Sequence, residues 1–171
     1  MKRAVLALAF LVAALAPAPA MAQTGAETGA EVTISRFSGK PVPRFETLKH
    51  EKVNGRKGPS EDYKVQWEYA RKGLPMLIVK ESGDWRYVRD PMGDEVWIKK
   101  TQLAGQQNAL ALGDFVLKAG RAPDSDDVAS VAAGVLVQLG TCDAAMCQVT
   151  ASRFRGWAPR DQLWGASATK G

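Results

Sequence analysis

The chain has one histidine, His50, and two cysteines, Cys142 and Cys147, among 171 residues. A metal-dependent hydrolase needs several His or carboxylate ligands at set spacing, and no such cluster is present. A thiol peptidase needs a free thiolate and a base to activate it, and His50 lies far from both cysteines in sequence. No phosphate-cradling Gly-rich loop and no Gly-x-Ser-x-Gly elbow occurs. The expectation is a protein that is not an enzyme and takes no cofactor and no metal. His50, beside Lys49, Glu51 and Lys52, reads as a surface or strand-edge residue.

Long apolar runs are lacking except at the start. Met1, Lys2 and Arg3 precede an apolar run from Ala4 to Ala16, which Pro17 and Pro19 interrupt before Ala20-Met21-Ala22. The run falls short of the roughly 20 residues that a spanning helix needs. A basic start, a short apolar middle and an Ala-x-Ala end describe a secretory signal peptide, residues 1–22, with the mature chain starting at Gln23. No cysteine follows the cut to carry a lipid, and no later segment is apolar enough to span a bilayer. The expected location is the periplasm. A dominant charge is missing too. The formal charge of +5, less the two charges of Lys2 and Arg3, is +3, with acids and bases interspersed. That is a weak footprint for nucleic acid.

What the chain does have is short apolar runs, punctuated by Gly, Pro, Asp and Ser about every eight to twelve residues, the rhythm of small β-barrels or sandwiches. Residues 23–35 are Gly, Ala, Thr and Glu without periodicity, a flexible leader. Residues 36–48 carry Pro41 and Pro43 among Phe37, Val42, Phe45 and Leu48. The prolines favour extended backbone, so residues 23–47 read as a leader and an extended arm packing on the first barrel. Val65, Trp67 and Tyr69 alternate with polar neighbours, as do Leu74, Met76 and Ile78. Turns at 58–60, 71–73, 82–84 and 90–94 separate five short strands, which predicts a barrel over 48–105.

The order Val53 to Ser60, Gly73 to Val79, Gly83 to Val88 and Trp97 to Leu103 resembles the bacterial Src-homology-3-like (SH3-like) domain family, and residues 39–45 resemble the preface of an exported proteobacterial subgroup. The family's usual Gly before the last Trp is Val96 here, which puts the bend at Trp97 in doubt. A second copy is fainter. Trp97 and Gln102-Leu103 recur as Trp157 and Gln162-Leu163 at an offset of 60, while Gly73 and Val88 recur as Gly134 and Val149 at 61. Gly156 does precede Trp157. The expected fold is therefore all-β: two small SH3-like barrels in tandem, 48–105 and 110–165, preceded by the arm, joined by a linker at 106–109 and followed by a tail at 166–171.

Cys142 and Cys147 flank the hairpin turn Asp143-Ala144-Ala145-Met146. Two Cys at the feet of a hairpin come within disulfide reach, and the spacing is not Cys-x-x-Cys. A structural disulfide is expected. On the strand at 85–88, period-2 alternation with Val88 in the core turns Trp85 and Tyr87 outward. Ile98 in the core likewise turns Trp97 outward; the alternative is that a sharply bent small barrel buries both neighbours, which would make Trp85 and Trp97 core residues. The family resemblance implies a shallow aromatic groove at Trp85, with Tyr63 from the long loop and with Asp62, Asp84 or Arg86 fixing the polar ends of a ligand. It further implies a binding module for peptidoglycan peptides or Pro-rich envelope segments. The alternative is a periplasmic structural or adaptor protein whose groove is filled by its own 36–48 arm. Copy two has Met146 at the Trp85 position and no counterpart of Tyr87, so its groove is expected to be lost.

Overall fold

Glycines at positive φ set the corners: Gly73 (81°), Gly83 (54°) and Gly93 (94°) in the first half, and Gly134 (79°) in the second. Only a residue without Cβ adopts such backbone freely. Between these corners the alternating segments form strands. The structure, a computed structural model, describes residues 31–105 and 108–166. The expected signal peptide, most of the expected leader, Gln106-Gln107 and most of the expected tail lie outside the described residues.

In chain order the strands are β1 (Thr33–Ile34), β2 (Pro41–Val42), β3 (Arg44–Leu48), β4 (Val53–Arg56), β5 (Val65–Tyr69), β6 (Pro75–Ser82), β7 (Trp85–Arg89), β8 (Glu95–Lys99) and β9 (Leu103–Gly105). They continue as β10 (Asn108–Ala111), β11 (Phe115–Lys118), β12 (Asp127–Val131), β13 (Leu136–Cys142), β14 (Met146–Ala151), β15 (Phe154–Pro159) and β16 (Leu163–Trp164). A single 3₁₀ turn precedes β9 and another precedes β16.

Two seven-stranded antiparallel sheets result, ordered β5-β4-β8-β7-β6-β3-β9 and β12-β11-β15-β14-β13-β10-β16. Each strand of the second holds the place of its counterpart seven earlier in chain order, so the repeat extends to topology. Register repeats as well: Ile78 pairs with Val88 where Leu139 pairs with Val149, and Tyr87 faces Trp97 where Gln148 faces Trp157. Met76, Ile78, Val88, Val96 and Ile98 fill the first core, and Ala109, Leu117, Val137, Cys147 and Val149 the second. The alternation read at Met76/Ile78 and Val88/Ile98 is the one observed.

The arm differs from its expectation. Arg44–Leu48 is not a strap on the barrel surface but an internal strand, between β6 and β9. Glu46, Thr47 and Leu48 are buried, because both neighbouring strands hydrogen-bond to this segment. The leader also gains order at β1, which pairs with β2 through Thr33 and Val42. The expected linker shortens similarly: Asn108 and Ala109 already belong to β10.

The barrels touch. The Trp164 indole N–H donates to the Pro75 carbonyl (3.0 Å), and its ring meets Phe45 edge-on with centroids 5.1 Å apart. Arg71 donates to the Gly134 carbonyl and Asn108 to the Gly73 carbonyl. Leu110 and Leu136 of the second barrel pack against the first core.

Candidate functional site

The outward aromatics gather on the β7–β8 face. Arg86 and Val88 are buried, while Trp85 and Tyr87 between them are partly exposed. On β8, Val96 and Ile98 are buried and Trp97 is partly exposed. Register brings Tyr87 beside Trp97, with ring centroids 5.0 Å apart and planes tilted by 39°. Such an offset pair satisfies the ring quadrupoles better than a face-to-face stack. The row continues across the sheet from Lys80 through Tyr87 and Trp97 to Arg56 and Val65.

Trp85 stands one row away, opposite Lys99 and Ser82. It lines a depression of about 250 Å³ with Asn54, Arg56, Glu61 and Lys99. The polar rim is internally paired. Lys99 holds Glu61 at 2.5 Å, and Lys100 holds Asp84 at 2.7 Å. The Lys99 hydrogen bond keeps the Glu61 carboxyl below the usual range, and that of Lys100 does the same for Asp84. Burial, followed by the hydrogen bond and charge of Glu95, pushes the Tyr87 hydroxyl up.

Tyr63 reaches this face through Arg56, whose guanidinium donates to the Tyr63 carbonyl at 2.7 Å. Its ring, 49% exposed, lies over Gly58, where an added Cβ would stand 2.6 Å from it. Asp62 is spent on its own turn, accepting from the Ser60 hydroxyl at 2.7 Å.

Arg86 does not belong to the groove. It is 5% exposed, ion-paired with Glu81 at 3.1 Å, and donates to the carbonyls of Gly83 and Trp85. Alternation places it on Val88's side, and the buried carboxylate of Glu81 is what makes that side tolerable for a guanidinium. Glu81 itself has a side chain only 1% exposed; Arg44 joins it at 2.7 Å, and the hydroxyls of Ser35 and Ser38 donate to it. Burial pushes the Glu81 carboxyl up, but the donors from Ser35, Arg44 and Ser38 outweigh burial and hold it below the usual range.

Glu81, Arg56 and Lys99 escape a reading of the sequence because charged residues on strands look like solvated face. Only their cross-strand partners give them away. The arm's hydroxyls contact Glu81, and the Trp85 depression is lined by other segments. The 36–48 arm therefore does not occupy the groove, which corrects the self-filled alternative. The reason is that Arg44–Leu48 is committed to the sheet.

The corresponding face of the second barrel is built differently. Met146 and Gln148 stand at the Trp85 and Tyr87 positions, and Arg121 covers the Trp157 ring at 4.2 Å. Cys142 and Cys147 form the expected disulfide. Among the described residues no group of His, Cys, Asp and Glu is arranged to hold a metal ion, and no helix is long and apolar enough to cross a membrane.

The sequence profile described as bacterial SH3 domain matches residues 49–105 and again 119–165. No curated protein matches the chain. Among solved structures, NlpC2 from Trichomonas vaginalis is similar at 13% identity over 71% of this chain and 47% of that one, with a TM-score of 0.34. NlpC1 from the same organism is similar at 14% identity over 77% and 48%, with a TM-score of 0.34. The chain spans about half the length of each.

Proposed function

The chain belongs to the bacterial SH3 domain family, and from that premise we propose that it is a non-catalytic binding module of the cell envelope. The ligand is an extended peptide, from peptidoglycan or from a Pro-rich envelope segment, laid across Trp85, Tyr87 and Trp97 of the first barrel. The observation that supports this is the outward row itself. Three large aromatics sit on a face that the core does not need, and the second barrel keeps the fold with Met146 and Gln148 at two of those places. Aromatic rings offer large contact area at small entropic cost and dominate peptide-binding surfaces. The ion-paired rim of Glu61–Lys99 and Asp84–Lys100 frames the row. Export to the periplasm belongs to the same reading. It agrees with the disulfide, which persists in oxidising compartments.

The test is co-sedimentation of residues 23–171 with isolated cell-wall sacculi at low and high salt. Salt-resistant binding is expected, with Trp85→Ala weakening it on the order of 30-fold, the ~2 kcal/mol of an aromatic anchor. Binding that disappears at high salt would reduce the interaction to net charge and overturn the aromatic site.

A further inference from the structure

Where the barrels meet, a cleft of about 660 Å³ opens between the β3–β4 turn and the start of β10, with Lys49, His50, Lys72 and Asn108 on its walls and Glu51 as its acid. Its floor is fixed by backbone. Leu48 N–H donates to the Leu74 carbonyl, Gly73 N–H to that of Leu48, and Lys49 N–H to that of Gln102. The Asn108 side chain, from the second barrel, closes one edge by donating to the Gly73 carbonyl at 3.2 Å. Lys49, His50 and Lys72 are exposed.

Two observations bear on this set of side chains. Lys40, Lys52, Lys99, Lys100 and Lys118 each stand within 4 Å of a carboxylate, whereas among the described residues Lys49 and Lys72, like Lys57, Lys64 and Lys80, have no such partner, and Lys49 and Lys72 share this cleft. The second is an internal control. The same three backbone hydrogen bonds recur in the second barrel as Ala111 to Val135, Gly134 to Ala111 and Leu112 to Gln162. The positions of Lys49, His50 and Lys72 are there Leu112, Gly113 and Ala133. The fold therefore forms without these charges. With Lys49 and Lys72 against the single acid Glu51, the cleft carries an excess of positive charge; a concave surface with such an excess focuses its field and concentrates counter-ions, and the volume falls in the range of small-ligand sites.

We propose that this inter-barrel cleft is a binding site for a small oxyanion, a phosphoryl or carboxylate group held between Lys49 and Lys72 with the His50 ring and the Asn108 amide beside it. The site is separate from the aromatic row and stands or falls without it.

His50 is the sole histidine, so its ring protons give one resolvable NMR signal that reports the cleft. The full chain is titrated at fixed pH and ionic strength with inorganic phosphate, with succinate, and with chloride. A saturable shift of the His50 signal with phosphate or succinate, absent with chloride, is expected, and the tighter of the two names the group. The double variant Lys49→Leu/Lys72→Ala carries the residues the second barrel uses at these positions, so it keeps the fold. It should weaken the oxyanion at least about tenfold, the loss of two charge-assisted contacts. Equal shifts in all three salts, or unchanged affinity in the double variant, would overturn the proposal.

Discussion

One cross-strand position is closed by different chemistry in the two barrels. In the first, Glu81 faces Arg86 between β6 and β7; in the second, Cys142 faces Cys147 between β13 and β14. The covalent link needs nothing more. The buried ion pair does, since a carboxylate out of water must have its lone pairs met. Arg44 of β3 and the hydroxyls of Ser35 and Ser38 meet them. The hairpin preceding β3 is thus tied to the choice of an ion pair, and the barrel with the disulfide manages without one.

The largest expected effect comes from breaking the ion pair. Arg86→Leu leaves buried Glu81 with Arg44 as its remaining charge partner beside the Ser35 and Ser38 hydroxyls, and should cost about 3 kcal/mol in denaturant unfolding, the low end of the penalty for breaking a buried ion pair. Glu81→Cys with Arg86→Cys copies the second barrel's pair into the first and should recover most of that loss under oxidising conditions. A single-variant cost below about 1 kcal/mol would mean that water or Arg44 already satisfies Glu81. The pH sign follows from the lowered carboxyl. Its contribution is full above the ordinary value of 4.5 and disappears as pH falls through the lower folded value, so wild type and variant should converge only in acid.

Removing the covalent closure is the milder test. Cys142→Ala with Cys147→Ala opens a link between residues five apart, and loop entropy for so short a segment gives about 2 kcal/mol. The loss should appear in thermal unfolding of the oxidised protein and match the effect of reductant on wild type. A cost equal to that of Arg86→Leu would erase the distinction between the two closures.

The sequence made some of this legible. Alternation around Val88 and Ile98 pointed Trp85, Tyr87 and Trp97 outward but left open a barrel bent enough to bury Trp85 and Trp97, and the offset of 60 to 61 predicted the tandem. The same alternation put Arg86 on the core side. Yet an Arg is so seldom buried that it reads as a rim residue until Glu81 is seen across from it. β3 was hidden for another reason. Pro41 and Pro43 dominate the local signal, while the strand's stability comes from pairing with β6 and β9, which are distant in sequence. Lys49 and Lys72 are 23 apart in number, and the hydrogen bonds from Gly73 to Leu48 and from Leu48 to Leu74 bring them to one cleft.

The smallest expected effect resolves the missing glycine. Val96 occupies the place where the second barrel has Gly156, without any disturbance of β8, because the space has been exchanged across the sheet. Gly55 on β4 lies against Val96, and a Cβ on it would stand 2.6 Å from the Val96 side chain. In the second barrel the counterpart of Gly55 is Leu117, fully buried, and a Cβ on Gly156 would come within 3.1 Å of Leu117 and 2.8 Å of the Lys118 carbonyl. Each barrel thus holds one large and one small residue in this pair, in opposite order. Gly55→Leu and Val96→Gly should each destabilise the first barrel, by overpacking and by a cavity respectively. Together they reproduce the second barrel's arrangement. The double variant should therefore be more stable than the two single losses predict, with a coupling of about 1 kcal/mol or more in a double-mutant cycle. Simple additivity would mean that the two positions do not share a volume, and that β8 accepts Val96 through a change in backbone rather than through Gly55.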